Sequence, residues 1–159
     1  MIIRKYRDAD REIIKEITAI CFEGVSIEHN IEKLYGPIAG KDWRWRKKRH
    51  VDADIAANAD GIFIAEDEGQ VVGYISTRVD AETKIGGIPN FAVHPAHQQK
   101  GIGKKLMHAG IEYLKSKGME YARIETLAHN EVGLRFYPKM GFKELARQVY
   151  FIMPIDRKE

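Results

Sequence analysis

The stretch FAVHPAHQQKGIGKKLM, residues 91–107, decides how the rest of the chain is read. Phe91 to Val93 are apolar and β-prone, Pro95 stops a strand, and Gly101 and Gly103 stand where a helix would begin. A helix start is an anion site. Its first N–H groups lack intrahelical acceptors, and the macrodipole places about half a positive charge there. Gly101 tolerates φ > 0 in the turn, and Gly103, lacking Cβ, is expected to let a phosphate approach the main chain. Lys100, Lys104 and Lys105 add charge around the same turn, which favours a diphosphate over a single carboxylate. A dinucleotide turn of the form G-x-G-x-x-G does not fit, because Leu106 stands at the third glycine position.

Upstream of this stretch, residues 1–6 read as a strand, and Asp8 or Asp10 is placed to cap a helix. Ile13, Ile14, Ile17, Ile20 and Cys21 recur at helical spacing as one apolar face. Residues 26–59 hold one or two further helices, broken at Gly36-Pro37 and Gly40. Within them KDWRWRKKRH, residues 41–50, interleaves Trp43 and Trp45 with Arg44, Arg46, Lys47, Lys48 and Arg49. Such a mixture can stack on bases and neutralise phosphates, or it can be a helix with Trp43 packed inward and a solvated cationic face. From residue 61 the period changes to two. GIFIAE and QVVGYISTRV form a hairpin across Asp67-Glu68-Gly69, and Ile85 to Val93 form another strand, which Pro89 makes irregular.

Downstream, the helix after Gly101 carries Ile102, Leu106, Ile111 and Leu114 to the core and ends at Gly118. Tyr121 to Ala128 form a strand, Asn130 caps a short helix closed by Gly141, and residues 142–155 supply the last one or two strands. The expected fold class is α/β, one domain over residues 1–159.

Composition narrows the function. Cys21 is the only cysteine, which excludes an internal disulfide and a cysteine-built metal site, and the six histidines show no ligand spacing. No metal is expected. A net charge of +3 does not by itself call for nucleic acid. No apolar run approaches the ~20 residues of a membrane span, and MIIRKYRDAD lacks the apolar core of a signal peptide, so a cytoplasmic protein without a membrane partner is expected.

Two motifs together carry a family resemblance: VHPAHQQKGIGKKLM, with its Q-x-x-G-x-G core from Gln98 to Gly103, and N-x(6)-Y-x-x-x-G-F from Asn130 to Phe142. In this order and separation they resemble the GNAT superfamily of N-acetyltransferases. The resemblance implies a mixed, mostly antiparallel sheet of six to seven strands flanked by about four helices. It also implies acetyl-CoA as cosubstrate and a small-molecule or peptide amine as acceptor. By the same likeness, the main chain of Phe91, Ala92 and Val93 pairs with the pantetheine arm. Gln98, Gln99, Lys100, Gly101, Ile102, Gly103 and Lys104 hold the pyrophosphate, and Asn130 contacts the arm. Tyr137, with a phenol near ~10, matches the proton donor to the departing thiolate. The glutamate that some members carry before the loop is replaced here by Ile88, Pro89 and Asn90, leaving Glu125 as the candidate base. Pro138 is expected to bias Tyr137 away from helical geometry. A non-catalytic acyl-CoA sensor and a nucleic-acid module built on residues 41–50 are the rival functions, and a homodimer is compatible with either.

Overall fold

Alternation of two in the middle of the chain and of three to four elsewhere resolves into six strands and five α-helices in the computed structural model, which describes residues 1–156. In chain order these are β1 (Ile2–Lys5), α1 (Arg11–Cys21), α2 (Ile27–Tyr35), α3 (Trp43–Asn58), β2 (Phe63–Asp67), β3 (Gln70–Ile75), β4 (Ile85–Ile88), β5 (Phe91–Val93), α4 (Ile102–Ser116), β6 (Tyr121–Ile124) and α5 (Glu131–Lys139). Strands β1, β2, β3 and β5 form an antiparallel sheet in that order, and β4 pairs with β6 in parallel. The β2–β3 turn uses Glu68 (φ 50) and Gly69 (φ 78), two left-handed residues whose twist suits a tight hairpin.

Helices cover both faces of the sheet. Leu106, Met107 and Leu114 of α4 pack with Val72, Ile75, Ile88 and Val93 on one face. Ile14 and Ile17 of α1 and Val51 and Ile55 of α3 pack with Ile64, Tyr74 and Ala92 on the other. Strand alternation sorts these residues: Ala92 and Tyr74 oppose each other in register and share one cluster, while Val93 faces the other.

Four expectations change. Ile13 and Ile20 are exposed, so the buried stripe of α1 is narrower than its apolar spacing suggests. Asp10 does not cap α1 with its side chain. It is buried and takes hydrogen bonds from Arg4 Nη1 at 2.9 Å, Arg4 Nη2 at 2.8 Å and Arg7 N at 2.8 Å, with Arg4 the main reason its carboxyl is held below the usual range. Strand β6 ends at Ile124, not Ala128. Residues 142–155 form no strand. Only Phe142 is half-buried, against Tyr137, and every residue from Lys143 to Asp156 is exposed.

Candidate active site

The site begins where one expected strand becomes two. Residues 85–88 pair with β6, residues 91–93 pair with β3, and Pro89-Asn90 makes the break. Proline has no N–H to give to either ladder. Asn90 anchors the junction: its backbone O accepts from Ser76 N at 2.8 Å, its amide donates to Asp54 Oδ2 at 2.6 Å, and its Oδ1 accepts from Lys47 Nζ at 2.9 Å. Past this point β5 and β6 diverge without pairing, which leaves a slot between them. Asn90 O and His94 N bond toward β3, so ladder alternation turns the N–H and C=O of Phe91 and the N–H of Val93 toward the slot. Ala92 turns its polar groups to Tyr74 instead.

The loop after β5 supplies the charge. Gln98 donates from Nε2 to Val93 O at 3.0 Å, so its side chain ties the loop to the strand end. Gln99 (φ 65) and Gly101 (φ 79) are both left-handed, and α4 starts directly after Gly101, which makes no side-chain cap. The N–H groups from Gln99 to Lys104 have no acceptor among the described residues. Six consecutive orphan donors at a helix N-terminus, with Lys100, Lys104 and Lys105 exposed around them, form an anion cradle. Buried Ile102 pins the first turn into the core.

Gly103 has a packing reason to lack a Cβ. A Cβ there would lie 3.2 Å from Phe91 Cζ and 3.6 Å from the Phe136 ring. The glycine makes room for the stacked Phe91–Phe136 pair, whose centroids are 5.4 Å apart. It thereby brings α4 close to β5. Gly101 has open space where a Cβ would go, so its requirement is conformational alone.

Tyr137 of α5 stands among Phe91, Phe136 and Phe142, and its hydroxyl has no partner among the described residues. Burial pushes its phenol up to about 12, above the ordinary value assumed from sequence. Pro138 does not end the helix; α5 runs on to Lys139, and Tyr137 keeps helical geometry. The missing N–H gives up one hydrogen bond to the carbonyl four residues back, in the last turn of the helix. Asn130 caps α5 by accepting from Gly133 N at 3.4 Å, while its amide donates to Thr126 Oγ1 at 2.8 Å. Glu125, just past β6, is not gathered with Tyr137. Its side chain is 68% exposed and accepts from Arg123 Nη2 at 3.2 Å. The loop that carries it is tied to the α1–α2 turn by His129 Nε2, 2.7 Å from Gly24 O.

The basic segment lies in α3 and is largely partnered. Arg44 meets Glu23 at 3.2 Å, Arg46 meets Glu28 at 2.7 Å, and Lys48 meets Glu16 at 2.6 Å, so carboxylates of α1, α2 and the turn between them take up its charge. Trp43 is buried and stacks on His29 at 4.6 Å, as the packed-helix reading requires. Lys47 breaks that reading. It is buried over the Phe22 ring at 4.0 Å, and desolvation pulls its ammonium down to about 8.

Sequence reasoning missed this inner network. Asp54 accepts from Ser76 Oγ and Arg78 Nη2, each at 2.8 Å, as well as from Asn90, which locks α3 to the strand break. A signal existed in the spacing of Lys47, Val51, Asp54 and Ile55 on one helical face. Cys21, placed by its spacing on the apolar face of α1, donates its thiol to Val93 O at 3.2 Å, and burial pushes it up to about 11.

The model of the Acetyltransferase (GNAT) family matches residues 28–142. The chain belongs to that family. Among its relatives, a mycothiol acetyltransferase from Streptomyces coelicolor is 32% identical over 82 residues, covering 52% of this chain and 26% of that protein. One from Segniliparus rotundus is 30% identical over 115 residues, covering 69% and 43% respectively. The chain thus spans less than half of either relative. Among solved structures, PaiA N-acetyltransferase from Thermoplasma acidophilum, in complex with coenzyme A, superposes with a TM-score of 0.71 at 24% identity, over 89% of each chain. A GNAT acetyltransferase from Brucella melitensis, in complex with acetyl-CoA, gives 0.61 at 28% identity over 90% of this chain and 82% of that one. No helix among the described residues is long and apolar enough to cross a membrane.

Proposed function

We propose that this GNAT-family chain transfers an acetyl group from acetyl-CoA to a primary amine by direct attack of the amine in a ternary complex. The observation that carries the reading is the run of six N–H groups from Gln99 to Lys104 without acceptors, continuous with the unpaired edge of β5. That arrangement fits a diphosphate joined to an extended amide-bearing arm. Gln99, Lys100, Gly101, Ile102, Gly103 and Lys104 hold the diphosphate by backbone N–H groups, with Gln98 fixing the loop. Phe91 and Val93 offer backbone groups to the arm, Ala92 sets the strand register between them, and the Asn130 amide flanks the far side. When bound, acetyl-CoA supplies the activated acyl group as a thioester.

Tyr137 stays protonated throughout the physiological range. With its phenol at about 12 against ~8.5 for an ordinary thiol, it serves by hydrogen bonding to charge developing on sulfur. The acceptor must arrive neutral, and an amine near ~10.4 is almost wholly protonated at neutral pH. Glu125, at the solvent-open end of β6, is the base this reading offers, acting through water. Glu125→Gln is expected to flatten the acidic limb of the kcat/KM profile; an unaltered limb removes it.

The paired cations of α3 support a structural role for that segment over nucleic-acid binding. The overall reading is tested by thiol release from acetyl-CoA against amino acids, polyamines, peptides and a mycothiol-related amine, the last chosen for the relatives' name. Acetylation of at least one amine is expected. Tight coenzyme A binding with no turnover across the panel would establish the acyl-CoA sensor instead.

A further inference from the structure

The slot narrows toward the strand break, and the backbone donor nearest the break is the Phe91 N–H. An arm anchored by its diphosphate at residues 99–104 and running back along β5 passes Val93 first and Phe91 last. The Phe91 N–H thus stands at the acyl end. It shares one planar peptide unit with the carbonyl of Asn90, and in a trans peptide the two point in opposite directions. Asn90 O takes its bond from Ser76 N at 2.8 Å, on the β3 side, so whatever holds Asn90 also aims the Phe91 donor into the slot.

Asn90 is buried and held from two sides. On the β3 side its N–H donates to Ser76 Oγ at 3.0 Å. On the α3 side its Oδ1 accepts from Lys47 Nζ at 2.9 Å, and its amide donates to Asp54 Oδ2 at 2.6 Å. Ser76 Oγ donates to the same carboxylate oxygen at 2.8 Å and closes the ring. A buried polar network satisfied in this way is rigid. Lys47 is the member that stability alone explains least. Its ammonium lies over the Phe22 ring at 4.0 Å and 3.3 Å from His50 Nδ1, where an apolar side chain of similar length would fill the space without desolvating a charge. What the ammonium adds is a directed bond from α3 to Asn90.

We infer that Lys47 is a positioning residue for acetyl transfer: through Asn90 it sets the peptide plane whose N–H Phe91 offers to the acyl carbonyl. The inference rests on the acetyl-transfer reading above. A donor aimed where charge develops works within narrow limits, and a misplacement of about 1 Å can lower a rate by about 10²-fold. Lys47 acts through Asn90 and not on the ligands, so its effect falls on rate and not on binding.

Three variants test it, with the kinetics of the full chain and the amide resonances of the ligand-free chain measured side by side. Lys47→Met is expected to lower kcat by about 10- to 10²-fold, to leave coenzyme A affinity nearly intact, and to shift the Phe91 amide resonance before any ligand is added. An apolar replacement of a buried charge keeps the core filled, so this variant stays folded, checked by circular dichroism. Lys47→Gln retains an N–H for Asn90 and is expected to recover most of the rate and to return the resonance toward its wild-type position. Asn58→Ala cuts another tie of α3 to the sheet, the bond from Asn58 Nδ2 to Thr77 O at 3.1 Å, and is expected to lower stability while kcat and the Phe91 resonance stay unchanged. Retained kcat in Lys47→Met, with the wild type active, overturns the inference and leaves the acetyl-transfer reading standing. So does a Lys47→Gln no better than Lys47→Met, or an equal loss of kcat in Asn58→Ala, which would make the effect one of general stability. A wild-type chain that acetylates no amine refutes the acetyl-transfer reading itself, and this inference with it.

Discussion

Two cationic stretches of this molecule look alike in the sequence and behave in opposite ways. Residues 98–105 and residues 44–49 each concentrate lysine or arginine, and each can be read as an anion site. In α3 the charge is spent internally: Arg44, Arg46 and Lys48 meet carboxylates of α1, α2 and their connecting turn, and Lys47 is buried. At the start of α4 the lysines are exposed, and the backbone donors among them have no acceptor. The lesson is that unpartnered donors, not density of charge, distinguish a ligand site from a scaffold.

The largest effect tests whether the slot beside the loop performs chemistry. Tyr137→Phe is expected to lower kcat by about 10²- to 10³-fold while leaving coenzyme A affinity nearly intact, since the hydroxyl has no structural partner. Steady-state kinetics with calorimetric titration of coenzyme A separates the two quantities. A retained kcat would reduce Tyr137 to packing.

The second tests whether the scaffold stretch carries a buried charge. Lys47 titrates at about 8 in the fold against 10.5 for the ordinary group, chiefly through desolvation. Between those values the unfolded chain binds more protons, so stability rises with pH across this window as the burial penalty is relieved. Chemical denaturation of wild type and Lys47→Met from pH 7 to above 10 should show a gain in the wild type that the variant lacks, of up to about 3 kcal/mol. Parallel curves would place Lys47 in contact with solvent.

A smaller effect concerns backbone geometry. Gly101→Ala imposes a left-handed conformation on a residue with Cβ, at a cost of roughly 1–2 kcal/mol, although nothing obstructs the added atom. Stability should fall by that amount and coenzyme A affinity with it. Lost affinity at unchanged stability would instead mean that the loop has relaxed.

The smallest effect contrasts the two stretches directly. Lys104→Ala is expected to weaken coenzyme A binding several-fold, more so at low salt, where screening is weaker. Lys48→Ala should leave that affinity alone and change stability by about 0–1 kcal/mol, as for an exposed ion pair. Equal responses in the two variants would erase the distinction.

Much of this was legible in the residues. The helix start with its unpartnered donors, the hairpin at Glu68-Gly69, the caps at Asn130 and Gly118 and the break near Pro89 depend on backbone conformations or missing N–H groups that one or two residues dictate. Local chemistry determines local geometry, so sequence suffices there. The elements that sequence misplaced depend on long-range partners. Lys47 is buried because Asn90, 43 positions away, accepts from it and in turn donates to Asp54 at the strand break. Asp10 is drawn from its cap by Arg4. Residues 142–155 have every property of a strand in composition, yet a strand exists only where another edge pairs with it. Sequence by itself determined where the chain turns and where a helix start leaves backbone donors unpartnered; the tertiary structure decided which charges are already answered, because a charge is satisfied through space and not along the chain.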